Sequence, residues 1–198
     1  MERAFFTTSA TDQQLDQQRR DLLKYTGASL IASALPLLSM KKALASTGNE
    51  PWKLAFRHAH TGESFSGVYR VGDKYLPEAF ERINYVMRDF RTNEVFPMDP
   101  HVLDILTLVR NKLDITDPYD VLSAYRSPKT NAMLGNRSRA VASNSFHMYG
   151  QAVDIRVPSF STKKIRNVAR SLEAGGVGYY PRSSFVHVDT GKVRTWTK

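Results

Sequence analysis

Two short segments near the C-terminus constrain the fold more than any other part of the chain. In Ala152-Val153-Asp154-Ile155 and in Phe185-Val186-His187-Val188-Asp189, carboxylates and an imidazole alternate with apolar, mostly β-branched side chains. Period-two alternation reads as a strand with one face on an apolar core and the other carrying the polar groups. Val153 and Ile155 then face the core and Asp154 points away from it. Val186 and Val188 do the same in the second strand, leaving Phe185, His187 and Asp189 on the far face, with His187 and Asp189 roughly 6–7 Å apart. Burying a lone carboxylate between apolar neighbours is costly unless a cation accompanies it. A metal ion supplies one, and so does an arginine.

A further histidine lies just upstream, in the turn-like stretch Ser145-Phe146-His147-Met148-Tyr149-Gly150. Gly150 can take the tight backbone angles that follow His147. Catalytic zinc takes three nitrogen or oxygen ligands and leaves a fourth position open. His147, Asp154 and His187 can supply three ligands for one Zn2+, and Asp189 can serve the water. The chain has only five histidines and no cysteine, so thiolate metal sites, disulfides and a cysteine nucleophile are excluded. Of the remaining histidines, His58 and His60 read as polar strand and turn residues, and His101 as a surface residue in the first turn of a helix. Gly175 to Gly178 lacks the following Lys-Ser/Thr of a phosphate loop.

Residues 1–45 read as an export signal. Arg19-Arg20 precede an apolar run from Tyr25 to Leu38, too short and too rich in Gly, Ser and Thr to span a bilayer comfortably. Lys41-Lys42 follow, then Ala43-Leu44-Ala45, a small-x-small pattern that places cleavage after Ala45. The paired arginines resemble a twin-arginine signal, although Gln18 and Leu22 stand where Ser or Thr and Phe are usual. The expected partners are therefore the twin-arginine export machinery, with no stable membrane anchor after cleavage, and the expected location is the periplasm of a Gram-negative bacterium. An uncleaved anchoring helix is the alternative.

Residues 46–198 read as one domain. Trp52 to Phe56 and Ser64 to Val71 form a hairpin across His60-Thr61-Gly62-Glu63. Pro77 opens a helix with Phe80, Ile83, Met87 and Phe90 on one stripe. Asp99-Pro100 opens another, with Val102, Leu106, Val109 and Leu113. Tyr119 to Tyr125 is a strand, Ser127-Pro128 caps a short helix, and Ala152 to Val157 is the next strand. Ser161 caps a helix carrying Ile165, Val168, Ala169 and Leu172, stopped by Gly175-Gly176. Val177 to Tyr180 and Ser184 to Val188 close the chain as a hairpin. This pattern predicts an α+β domain with a small, mainly antiparallel sheet and packed helices. The formal net charge of +9 favours anionic partners. The chain shows no RNA-binding signature and no zinc-finger spacing, so nucleic acid is not an expected ligand.

The pattern Ser-x-His-x-x-Gly-x-Ala-x-Asp followed by a strand histidine resembles the zinc D-alanyl-D-alanine peptidase group, which shares its fold with the hedgehog signalling domain. The resemblance is strongest to the murein endopeptidase K branch. It covers His60-Thr61-Gly62-Glu63, Ala124-Tyr125-Arg126-Ser127, residues 145–154, Gly175 to Arg182 and Phe185 to Gly191. It implies a zinc metallopeptidase that hydrolyses peptide cross-links in peptidoglycan, with diaminopimelate–diaminopimelate as the favoured bond. The alternative is a zinc-containing module that binds peptidoglycan without cutting it. The resemblance also implies that His147, Asp154 and His187 bind zinc and that Arg126 faces the substrate carbonyl or carboxylate. Many relatives place a glutamate base three residues before the last ligand; Ser184 stands there. Asp189 is then the available base, or else it only orients a ligand histidine. Arg137, Arg139, Tyr149 and Arg182 are candidate contacts to stem peptides.

Overall fold

The computed structural model describes residues 50–138 and 141–198. The export reading of residues 1–45 lies outside them. Among the described residues, no helix is long and apolar enough to cross a membrane. Eight strands form one sheet: β1 (Pro51–His58), β2 (Ser64–Val71), β3 (Lys74–Tyr75), β4 (Tyr119–Ser123), β5 (Ala152–Arg156), β6 (Gly176–Tyr180), β7 (Phe185–Asp189) and β8 (Arg194–Thr197), in the order β3-β2-β1-β4-β5-β7-β6-β8. The pairs β1–β4 and β6–β8 are parallel and the others antiparallel.

The α+β class and the mainly antiparallel pairing match expectation; the small sheet does not. The two strands absent from the sequence reading, β3 and β8, lie at the sheet's two ends. Both are short and largely exposed, so neither carries the buried apolar face that marks a central strand. Most of β8 is exposed.

Four helices accompany the sheet: α1 (Pro77–Val86), α2 (Pro100–Lys112), α3 (Pro128–Arg137) and α4 (Thr162–Ser171). Three begin on a side-chain cap. Asp99 Oδ1 accepts from His101 N at 3.0 Å, Ser127 Oγ from Thr130 N at 3.2 Å, and Ser161 Oγ from Lys164 N at 3.4 Å. Each such cap stabilises its helix by about 1 kcal/mol. α1 stops earlier than its apolar stripe predicts: Met87 is its C-terminal cap, and Phe90 lies beyond it, stacked on His60 at 4.4 Å.

α1 packs on β2, α2 on β1 and α4, and α4 on β6 and β7. Val153, Ile155, Val186 and Val188 join Val102, Leu106 and Ile165 in one buried apolar cluster. The alternation of β5 and β7 therefore sends their other face to the site. There the register sets up a row across the sheet: Ser123 opposite Asp154, Asp154 opposite His187, His187 opposite Gly178, and Gly178 opposite Trp196.

Glycine at 178 is required by a close approach, since a Cβ there would lie 2.5 Å from the Trp196 ring. Gly178→Ala is expected to lower unfolding stability by about 1–3 kcal/mol through overpacking. Urea denaturation checks this, and an unchanged midpoint would show that Trp196 can move aside freely.

Candidate metal centre

His147 sits in a 3-10 turn, Phe146–Tyr149, closed by Gly150 in the left-handed region at φ 65°. Both ends of the turn are tied down. Arg126 N–H donates to His147 O at 3.1 Å, and Asp99 N–H donates to Gly150 O at 2.9 Å. The imidazole is almost fully buried, and its Nδ1–H donates to Ala124 O at 2.7 Å. That bond fixes the tautomer and leaves the Nε2 lone pair facing Asp154 and His187. Burial also holds the His147 pKa down, which keeps the ring neutral.

Three ligand-type atoms converge here. His147 Nε2 lies 3.2 Å from His187 Nδ1 and 3.3 Å from Asp154 Oδ1, and the last two are 2.8 Å apart. Zinc bonds of roughly 2.0–2.2 Å in a tetrahedron give ligand-to-ligand edges of about 3.3 Å. The triangle is close to that size, and His147, Asp154 and His187 form a group able to hold a metal ion. The electrostatics also suit a cation. Although burial opposes it, hydrogen bonds and charge from His147 and His187 keep Asp154 well below the usual carboxylate range. Burial would lower His187, but its bonds to Asp154 and Asp189 outweigh that and push it up to about 9.

Asp189 is placed differently from the expectation that it serves the water. Its Oδ2 accepts from His187 Nε2 at 2.9 Å, on the side of the ring opposite to the ligand atom Nδ1. The rest of the carboxylate is also engaged. Arg194 Nη2 donates to Oδ2 at 2.7 Å and Nη1 to Oδ1 at 2.9 Å, while the backbone N–H groups of Gly191 and Gly176 donate to Oδ1 at 2.9 and 3.2 Å. The side chain has no solvent exposure. A carboxylate that is dry, bonded on both oxygens and turned away from the ligand atoms is poorly placed to take a proton from water at the metal. Its position suits the other role, orienting a ligand histidine.

Arg126 faces the same cavity as the triad and is almost fully buried. Its Nη1 donates to Asn131 Oδ1 at 3.3 Å and its Nη2 to Ser123 Oγ at 3.1 Å, with Asp154 Oδ2 at 3.8 Å. Nε has no hydrogen-bond partner among the described residues. The His60-Thr61-Gly62-Glu63 turn holds the loop that supports this arginine. Glu63 binds Arg88 at 2.6 and 3.1 Å, and the neighbouring Asp89 Oδ2 accepts from Ser127 N and Oγ at 2.9 and 2.7 Å. His58 differs from the polar residue expected: it is buried, packs edge-on against Phe90, and burial lowers its pKa to about 4.

The cleft above the triad has a volume of about 650 Å³, and Asp154 is the one carboxylate side chain among the described residues that line it. Its basic residues are Arg126, the arginine expected to face the substrate, together with Arg194 and Lys198. Arg137 and Arg182 are exposed and do not line it, because α3 and the β6–β7 turn carry them outward. Arg139 lies outside the described residues. Tyr149 is half exposed and reaches only the rim, where its hydroxyl donates to Asn144 Oδ1 at 2.8 Å. The sequence reading missed Arg194 and Trp196. Their signal was present as a period-two pair of large side chains in Arg194-Thr195-Trp196, but with no apolar partner face to mark a strand.

Comparison with known families decides the relationship. The family described as peptidoglycan L,D-endopeptidase MepK matches residues 46–196. The chain belongs to the MepK family. Among curated members, a probable peptidoglycan L,D-endopeptidase MepK of Haemophilus influenzae is 41% identical over 183 residues, covering 92% of this chain and 97% of that protein. The peptidoglycan L,D-endopeptidase MepK of Escherichia coli K12 is 41% identical over 181 residues, covering 91% and 98%, and that of Shigella flexneri gives the same figures. The MepK match spans the whole described sheet up to Trp196, and so includes every residue of the triad, Arg126 and the Asp189–Arg194 pair.

Proposed function

We propose that this chain is an exported zinc endopeptidase that cuts peptide cross-links in peptidoglycan. Its relatives are named L,D-endopeptidases, and a diaminopimelate–diaminopimelate cross-link contains a bond between an L- and a D-configured centre. The observation that carries the reading is the His147–Asp154–His187 triangle at the base of an open cleft, within a chain 41% identical to those relatives. Residues 1–45 serve as a twin-arginine signal in this reading, and the mature domain works in the periplasm.

The donor set fits zinc: two imidazole nitrogens, one carboxylate oxygen, and a cleft on the remaining side. When bound, the ion supplies Lewis-acid chemistry, polarising a peptide carbonyl and acidifying water to a pKa of about 7. The protein's own groups prepare that place. Ala124 O and Asp189 hold the two imidazoles by their outer nitrogens, so that the inner ones point at a common centre. Arg126 stands beside Asp154 and offers its guanidinium to the carbonyl oxygen as charge develops, or to a substrate carboxylate. Arg194 and Lys198 give the cleft wall a positive character that suits the free carboxylates of stem peptides.

The test is digestion of purified sacculi by the zinc-loaded protein, with the muropeptides resolved afterwards. L,D-cross-linked dimers are expected to disappear, and a chelator is expected to preserve them. Intact cross-links in the zinc-loaded sample would instead indicate a binding module.

A further inference from the structure

One polar group in the cleft has no place in the scheme above. Tyr180 ends β6 on the same face as Gly178 and therefore on the same face as His187. Its ring is half-buried and stacks on Phe185, with centroids 4.3 Å apart and planes 11° apart. Its hydroxyl lies 3.0 Å from Trp196 Nε1. An indole N–H can only donate, so the phenol oxygen is the acceptor in that bond. The phenolic hydrogen is left free to donate, and no acceptor for it is found among the described residues.

The placement of this donor is specific. Tyr180 lines the cleft together with Arg126, Asp154 and His187. It is close enough to feel the negative charge of Asp154 and the positive charge of Arg126, and burial raises its pKa above the ordinary phenol value. The phenol thus stays protonated at neutral pH. Three contacts fix its position: the stack on Phe185, the bond from Trp196, and the packing of Trp196 over Gly178. A rigid, protonated donor that faces a cleft and has no acceptor among the described residues is arranged for a ligand oxygen.

We infer that Tyr180 is a further catalytic residue, whose O–H donates a hydrogen bond to the carbonyl oxygen of the scissile peptide as negative charge accumulates there. No bond of the phenol breaks; the proton stays on Tyr180 oxygen throughout. Tyr180 and Arg126 then act together on one oxygen, a neutral donor and a charged one. Trp196 is a positioning residue in this arrangement, because it touches the phenol and not the substrate. The inference rests on the peptide-hydrolase reading and adds to it a second stabilising group.

Tyr180→Phe keeps the ring and its stack on Phe185 and removes only the donor. In zinc-loaded protein acting on a purified L,D-cross-linked muropeptide dimer, kcat is expected to fall about 100-fold. KM should stay within about threefold, since an interaction made mainly in the transition state leaves ground-state binding intact. A phosphinate analogue of the scissile bond should bind more weakly by the same factor as kcat/KM falls. Zinc content and melting temperature should not change. A kcat reduced by less than about tenfold, or a loss confined to KM, would overturn the assignment. So would a Phe variant that loses zinc, because the effect would then be structural. A wild-type protein that leaves the dimer uncut overturns both readings; a cutting wild type with an equally fast Phe variant overturns this one alone.

Discussion

Asp154→Ala and His147→Ala are expected to leave the protein without stoichiometric zinc and to lower its turnover of cross-linked peptidoglycan by at least about 1,000-fold, the loss that corresponds to several kcal/mol of metal-derived stabilisation. The reason is geometric. Three ligand atoms with separations of 3.2, 3.3 and 2.8 Å form the smallest set that can close a tetrahedral site with one corner open. Removing one leaves two, and among the described residues lining the cleft no other histidine or carboxylate side chain is present to replace it. Elemental analysis of dialysed wild-type and variant protein checks the metal, and muropeptide analysis checks the turnover. Equal zinc in wild type and variants would remove the ground for a metal at this position.

Asp189→Asn separates the two roles open to that carboxylate. An amide oxygen can still accept from His187 Nε2, but it cannot take a proton from water. If Asp189 were the base, the variant would be inactive at any zinc concentration. As a residue that orients His187, it is expected to weaken zinc binding by about 10–100-fold, with most of the turnover restored at saturating zinc. The amide retains one oxygen for His187, while the paired contacts of Arg194 to both carboxylate oxygens are lost. Zinc titration with activity as one readout and thermal melting as the other distinguishes the outcomes. An inactive variant that binds zinc as tightly as the wild type would restore Asp189 as the base.

The parts of this site that the sequence revealed are those encoded within a few residues. Alternation in 152–155 and 185–189 identified β5 and β7 and placed Asp154, His187 and Asp189 on their outer faces. Gly150 marked the turn behind His147. Asp99, Ser127 and Ser161 announced three helix starts, and each accepts a backbone N–H in the folded chain. Less of the cleft wall was legible. Arg194 and Trp196 reach it through a parallel pairing of β8 with β6, and nothing local to Arg194-Thr195-Trp196-Thr197 announces that partner. Arg137, Arg139 and Arg182 are the basic residues expected to hold the carboxylates of the substrate. Arg137 and Arg182 are exposed and are not among the residues that line the cleft, because nearness along a chain does not fix direction once a helix or a hairpin turn intervenes.

By itself, the amino-acid order determined which side chains share a strand face, because that depends only on the two-residue repeat of the extended backbone. It thereby determined that two carboxylates and an imidazole stand outside the apolar core. Only the tertiary structure decided which nitrogen of His187 meets which carboxylate, Nδ1 with Asp154 and Nε2 with Asp189. That choice depends on the register of β5 against β7 and on Arg194 arriving from β8, and both are set by contacts between segments far apart in the chain.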